Sequence, residues 1–124
     1  FTLGWVAEKS PELVRAIQKE GHEIASHGYS HQLVYNQTPE VFREETRRSK
    51  AILEDITGEP ITGYREASYS ITNVSRWALD ILAEEGFTWD SSIFLVLIFP
   101  SVLYLLRLSA GGQSVGGGSL SADQ

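Results

Sequence analysis

The sequence contains no cysteine, so disulfides and thiolate metal sites are excluded and the redox compartment stays open. It is also short of positive charge, since 10 Lys and Arg stand against 16 Asp and Glu, a net charge of −6. This balance argues against a nucleic-acid-binding surface, which would be basic. Methionine is absent too, even at position 1, and no signal-peptide pattern precedes the apolar start at Phe1. We interpret the 124 residues as a fragment of a longer protein, with room for one domain.

Charge nearly disappears towards the end of the chain, because residues 91–124 contain just two charged side chains. They begin with an apolar run, interrupted by Pro100, that is shorter than the roughly 20 residues of a membrane helix. The short length of this run argues against a membrane span. A membrane segment and a buried strand or helix are kept as alternatives. We predict one domain over residues 1–94. Residues 95–124 are predicted to be a divergent, out-of-frame or chimaeric tail, disordered from Gly111 onward.

Strand-like apolar segments alternate with helix signals before this tail. The predicted strands are residues 1–6, 22–26, 61–65 and 87–89. The predicted helices begin after Ser10, Thr38 and Thr72 and end near Gly21, Gly58 and Gly86. Serine or threonine caps favour such starts, two of them followed by the Pro-Glu pair typical of a first turn, and glycine favours such ends. The alternation implies an α/β fold with parallel strands and outer helices, either half of a barrel or a small open sheet.

The second helix is the longest and has two distinct sides. Its predicted buried side carries Phe42, Ser49, Ile52, Leu53 and Ile56. The charged residues that we interpret as a solvated face without function are Arg43, Glu44, Arg47, Arg48 and Glu54.

All three histidines fall within residues 21–31. His27 and His31 are four residues apart at the predicted end of the second strand, where ligand sites of α/β folds lie. Imidazole is the commonest metal ligand, so the pair can converge on one ion. The alternative is that the histidines cluster by chance. The position of His22 is explained without a metal. It follows Gly21 at the predicted end of a helix, where a positively charged side chain is stabilised by the last carbonyl groups.

Three segments resemble motifs of the polysaccharide deacetylases, the nodulation-deacetylase-like family 4 of carbohydrate esterases. Residues 21–31 (Gly-His-Glu-Ile-Ala-Ser-His-Gly-Tyr-Ser-His) are similar to the second motif. Residues 64–72 (Tyr-Arg-Glu-Ala-Ser-Tyr-Ser-Ile-Thr) resemble the third, and residues 89–93 (Trp-Asp-Ser-Ser-Ile) the fourth. The resemblance covers about residues 1–94 and looks closest to the branch linked to bacterial exopolysaccharide synthesis.

The resemblance implies a distorted β/α barrel, of which this chain would hold about four β-α units. It implies a metal-dependent hydrolase that removes N-acetyl, or sometimes O-acetyl, groups from acetylated amino-sugar polymers. The reaction would act on carbon–nitrogen bonds other than peptide bonds. Such a protein would belong to carbohydrate metabolism in the bacterial cytoplasm, periplasm or cell envelope, without nucleic-acid or membrane partners.

The resemblance also assigns roles to individual residues. One divalent ion, usually zinc, would be bound by His27, His31 and a first-motif aspartate. Arg65 would be a catalytic residue that orients the base aspartate through its planar guanidinium. The residues expected to support the site or contact substrate are Ser30, Tyr69 and Asp90.

The sequence departs from the family pattern in several places. The aspartate pair of the first motif would lie upstream of Phe1, so the base and one metal ligand are not in this sequence. No histidine follows His31, so the expected general acid is absent as well. Ala67 stands where the family usually has proline, and Glu66 adds a carboxylate that can compete for Arg65. Two metal ligands without a third anionic one make a weak site.

A second hypothesis is therefore an inactive deacetylase-like fragment or a glycan-binding module. The aromatic residues that can stack on sugar rings are Trp5, Tyr29, Tyr35 and Tyr69, although aromatics at this density are more often core residues. A two-histidine metalloprotease is disfavoured, because Gly28 and not glutamate follows His27.

Overall fold

The computed structural model describes residues 1–93. The interpretations of residues 95–124 therefore lie outside the described residues. Within residues 1–93, no helix combines the length and apolar character that crossing a membrane requires.

Four stretches of chain lie side by side in parallel, in the order in which they occur in the sequence. Thr2 is bridged to Ser26, and Ser26 to Tyr64. Two short strands continue the series, β1 (Gly63–Tyr64) and β2 (Trp89–Asp90), with Tyr64 opposite Asp90. The predicted order of four parallel strand positions is thus present, although regular pairing is much shorter than predicted. Closure into a barrel stays a prediction.

Within residues 1–93, four α-helices connect and cover these strand positions. They are α1 (Gly4–Lys9), α2 (Pro11–Lys19), α3 (Pro39–Thr57) and α4 (Trp77–Glu84). Short 3₁₀ turns occupy Val34–Asn36, Ala67–Tyr69 and Asn73–Ser75. The alternation of strand positions and helices matches the predicted α/β pattern, with α1 as an addition.

The prediction of a strand over residues 1–6 is wrong from Gly4 onward, where α1 begins. Gly4 and Ala7, three residues apart, are the buried residues of this helix. A Cβ at Gly4 would lie 3.0 Å from Cα of Ser49 on α3 and 2.8 Å from the ring of Tyr29. Close packing on α3 through two small residues therefore favours a helical turn, and Trp5 is exposed.

The start and end of α3 agree with the sequence. Thr38 is its N-cap, and the Thr38 side chain accepts a hydrogen bond from the Val41 N–H at 3.3 Å. Gly58 follows the helix at φ 68°, a left-handed conformation that glycine adopts without a Cβ clash. Ser10 occupies the equivalent position before α2, but its side chain makes no cap hydrogen bond.

The core lies between α3, α4 and the strand positions. Phe42 of α3 meets the ring of Tyr64 edge-on at 6.1 Å, and Tyr64 meets Phe87 at 5.2 Å. Leu53 of α3 and Ile81 of α4 also belong to this cluster. Because Tyr64 is almost fully buried in β1, the core directly supports the residues that follow β1.

The last helix begins later than predicted. Thr72 and Ser75 form a capping box around the 3₁₀ turn, with the Thr72 N–H donating to Ser75 Oγ at 2.9 Å. Helix α4 then runs from Trp77, with Ala78, Ile81 and Leu82 buried.

Candidate metal centre

The two candidate ligands lie on the loop that leaves the second strand position. Main-chain hydrogen bonds tie this position to both neighbours, from His27 N to Thr2 O and from Arg65 N to Ser26 O, each 2.9 Å. The imidazoles of His27 and His31 stand edge to face with centroids 5.0 Å apart. His27 is half-buried and His31 is exposed. The sequence pair is therefore brought together at the carboxyl end of the strands, as expected for an α/β site.

A main-chain contact fixes the orientation of the His27 ring. Its Nδ1 lies 2.5 Å from the carbonyl oxygen of Arg65. Because a carbonyl only accepts, Nδ1 carries the proton and Nε2 keeps its lone pair, the arrangement seen in metal-binding histidines. Burial lowers the pKa of His27, against the opposing effect of the Arg65 carbonyl. The neutral form that binds metals is thereby favoured.

The segment that carries both candidate ligands, residues 26–31, is called the histidine loop. Its backbone enters the left-handed region at two residues. Gly28 has φ 74°, and a Cβ there would lie 3.3 Å from the Tyr64 hydroxyl. His31 has φ 61°, which is uncommon for a residue other than glycine. Such a conformation persists where surrounding contacts hold it.

Ser30 contacts a carboxylate that the sequence analysis missed. Its hydroxyl donates to both carboxylate oxygens of Glu45 at 2.8 and 2.7 Å, and its N–H donates to Oε2 at 3.1 Å. Glu45 lies on α3 within a run of charged residues that resembles a solvated helix face. No sequence signal separated it from its neighbours, because its partner is fifteen positions away.

Arg65 follows β1 and reaches the next strand. Its Nε and a terminal nitrogen donate to Ser91 Oγ at 3.2 and 2.7 Å. The guanidinium lies over the Phe1 ring at 4.0 Å and at 5.9 Å from the Tyr69 ring centroid. The exposed Tyr69, at φ 53°, is thus a neighbour of Arg65.

Asp90 is exposed at the end of β2. It accepts from the Ser92 N–H at 3.0 Å and also from the Ser92 hydroxyl. Ser92 Oγ in turn accepts from the Glu66 N–H at 2.7 Å. The structure therefore links Asp90 to the segment after Arg65 through Ser92.

Glu66 is buried beneath the site and does not pair with Arg65 in the manner considered from the sequence. Its carboxylate accepts from the Tyr64 hydroxyl at 2.5 Å and from the Ala67 N–H at 2.9 Å. Burial raises the pKa of Glu66 to about 7, although both hydrogen bonds act in the opposite direction. The side chain is 3% exposed and holds the turn that leads to Tyr69.

The residues present supply part of a metal site. Two imidazoles suit zinc, but tetrahedral sites need further ligands. Among residues 1–93, no group of three His, Asp or Glu side chains is placed to hold an ion. His22 is exposed and precedes the loop that carries the pair. His27 and His31 can therefore supply two of the ligands of one divalent ion. The Arg65 carbonyl orients His27.

Comparisons with known proteins point to one family. The family model described as "Polysaccharide deacetylase" matches residues 1–88. The peptidoglycan deacetylase of Helicobacter pylori is 29% identical over 93 residues, which cover 75% of this chain and 31% of that protein. A peptidoglycan-N-acetylglucosamine deacetylase of Bacillus cereus is 28% identical over 130 residues, covering 94% and 47%. The chain thus spans less than half the length of either of these curated relatives.

Similarity to solved structures agrees with the family match. The family 4 carbohydrate esterase of Streptomyces lividans superposes with a TM-score of 0.65 at 26% identity. The superposition covers 73% of this chain and 45% of the esterase chain.

Proposed function

Because this chain belongs to the polysaccharide deacetylase family of carbohydrate esterases, we propose that it is the central piece of a metal-dependent deacetylase. The reaction is hydrolysis of an N-acetyl group, or an O-acetyl group, on an amino-sugar polymer. It belongs to carbohydrate metabolism.

The observation that carries this proposal is the pairing of His27 with His31. The imidazoles are 5.0 Å apart, and the Arg65 carbonyl turns His27 so that Nε2 is free to bind. A chance cluster of surface histidines has no reason to include such a main-chain partner. The expected third ligand is the first-motif aspartate upstream of Phe1.

The proposed ion is zinc, held by His27 and His31. When bound, zinc polarises an acyl carbonyl and lowers the pKa of water, which is the chemistry that amide hydrolysis needs. The chain's own contribution is orientation, since Arg65 fixes His27 and the Glu45–Ser30 contact holds the loop between the ligands.

Arg65 is proposed to hold the carboxylate of the general base. Its guanidinium is already steadied by Ser91 and by the Phe1 ring, so little side-chain freedom remains to be lost. Tyr69 and Asp90 flank this group and are proposed to contact the sugar or support the site.

The substrate proposal follows the names of the curated relatives. Peptidoglycan is the first polymer to test, because both relatives named above are peptidoglycan deacetylases. An acetylated exopolysaccharide, which the sequence motifs suggested, is the second. Acetate release from each polymer by the complete protein distinguishes them.

Substitution of His27 tests the assignment. In the complete protein, His27→Ala is expected to abolish acetate release while the circular dichroism spectrum stays unchanged. His22→Ala is the matched control, because His22 is exposed and lies before the loop. Full activity in His27→Ala would rule out the metal assignment, whereas equal loss in both variants would indicate a general folding defect.

A non-catalytic glycan-binding function is the second candidate. It is favoured by the incomplete ligand set of residues 1–93 and by the exposure of Trp5, Tyr35 and Tyr69. Exposed aromatic rings stack on sugars. Binding of peptidoglycan fragments that is unaffected by EDTA, in a chain that releases no acetate, would support this alternative.

A further inference from the structure

Two hydrogen-bonding contacts join helix α3 to the histidine loop, through residues one helical turn apart. Arg48 of α3 also lies over the Tyr29 ring of this loop at 3.8 Å. Ser49 Oγ lies 2.9 Å from Ser26 Oγ in the buried interior, and Ser26 Oγ accepts from the Gly28 N–H at 3.2 Å. Glu45, four positions before Ser49, accepts three hydrogen bonds from Ser30. Residues at this spacing share a helix face, so one face of α3 serves as a template for the whole loop.

The second contact lies next to a backbone that needs support. His31 adopts φ 61°, and Ser30 immediately precedes it. Glu45 holds Ser30 at both the main chain and the hydroxyl, so the peptide entering His31 has little freedom. Hydrogen bonds to a carboxylate are stronger than those between neutral groups.

We propose that Glu45 is a positioning residue that holds His31 against His27 through its hydrogen bonds to Ser30. The inference rests on the proposed function of the two histidines as metal ligands. The proposal gives Glu45 a role, although it lies among charged residues of α3. The neighbouring Glu44 is solvent-exposed and has no such role. Removal of Glu45 is expected to release His31 from its left-handed conformation and to separate the two rings.

The test uses NMR on the full 124-residue chain without metal. With centroids 5.0 Å apart, the imidazole ring protons of His27 and His31 should give a nuclear Overhauser effect. Glu45→Ala is expected to remove this signal, and Glu44→Ala is expected to keep it. Alanine favours helices, so both substitutions preserve α3. Glu45→Gln should restore the signal, because its amide oxygen can accept from Ser30 N–H while its amide group donates to the hydroxyl.

A ring-to-ring signal of equal strength in Glu45→Ala and Glu44→Ala would overturn the proposal. Should Glu45→Ala unfold the chain, Ser30→Ala replaces it under the same criterion, because that change deletes the loop hydroxyl and leaves α3 intact. These readings do not depend on metal.

Zinc affinity provides the second measurement and separates this proposal from the proposed function. Loss of a group that orients a ligand typically weakens metal binding about 10- to 100-fold. We expect that loss in Glu45→Ala and wild-type affinity in Glu44→Ala. Absence of zinc binding by the wild-type chain would count against the metal assignment, while the ring-to-ring signal would still decide the role of Glu45.

Discussion

Glu66 is a buried carboxylate whose environment opposes its own charge. It is 3% exposed, and burial raises its pKa to about 7 from an ordinary value of 4.5. The Tyr64 hydroxyl and the Ala67 N–H both donate to its carboxylate. The cost of burial thus exceeds the gain from these two hydrogen bonds when the group is ionised.

This environment predicts a specific pH dependence of stability. Since the folded-state pKa is raised, the contribution of Glu66 to stability is complete below pH 4.5 and is lost as the pH rises to about 7. The loss is about 3 kcal/mol at 1.36 kcal/mol per pKa unit. Glu66→Gln is expected to remove this loss of stability between pH 5 and pH 8. Urea unfolding of both proteins at the two pH values measures the free energy of unfolding.

The control for this prediction is Glu59→Gln, an exposed carboxylate. It should keep the wild-type difference between pH 5 and pH 8. Parallel stability curves for wild type and Glu66→Gln would show that Glu66 is solvated in solution.

Sequence reasoning succeeded for residues whose pattern is local and failed where partners are distant. His27 and His31 could be paired because they are four residues apart within one recognisable segment. Glu45 and Glu66 could not be singled out. Glutamate in a charged helix run looks like surface, and a glutamate beside an arginine looks like an ion-pair partner. The contacts of Glu45 with Ser30 and of Glu66 with Tyr64 exist only after the elements have packed.

At the scale of elements, α2 and α3 both begin with a serine or threonine followed by Pro-Glu, but the two hydroxyl residues behave differently. Thr38 caps α3 through its side chain, whereas Ser10 makes no such hydrogen bond before α2. Ser10 has φ −140° and also ends α1, with its N–H donating to Val6 O at 2.9 Å. Its backbone joins two helices directly, so the side chain is not placed for capping.

Substitution of Thr38 is therefore expected to lower the free energy of unfolding more than substitution of Ser10. Thr38→Ala is expected to destabilise the protein by about 1 kcal/mol, the usual effect of losing an N-cap hydrogen bond. Ser10→Ala should change the free energy of unfolding by less than half of that amount, since no cap bond is lost. Chemical denaturation of both variants at one pH gives the comparison. Equal destabilisation would mean that Ser10 caps α2 in solution.

Helix α1 shows why the type of an element could be misjudged although both ends of α3 were predicted correctly. The ends of α3 depend on Thr38 and Gly58, which act on their own turns of the chain. The first six residues are apolar and short, a pattern that fits a buried strand. Their conformation is decided by the fit of Gly4 against Ser49 and Tyr29, which are distant in sequence.

At the scale of the whole molecule, parallel order explains how separate segments form one site. The strand positions at Ser26, Tyr64 and Asp90 are neighbours, so the residues following each of them meet at one edge. His27, Arg65 and Ser91 are those residues, and hydrogen bonds connect Arg65 to the other two. Alternation of strands and helices in the sequence was sufficient to predict this meeting, although not the partners within it.

Because the site is built on neighbouring strand positions, zinc bound there should stabilise the entire described fold. A ligand that binds only the folded state adds about 1.4 kcal/mol when present at ten times its Kd. The melting temperature of the 124-residue chain is therefore expected to rise with zinc concentration and to return to its starting value with EDTA. His27→Ala should abolish the rise and His22→Ala should keep it. A rise of equal size in His27→Ala would mean that zinc stabilises the chain at another place, and the pair of imidazoles would then lose its assignment as the metal centre.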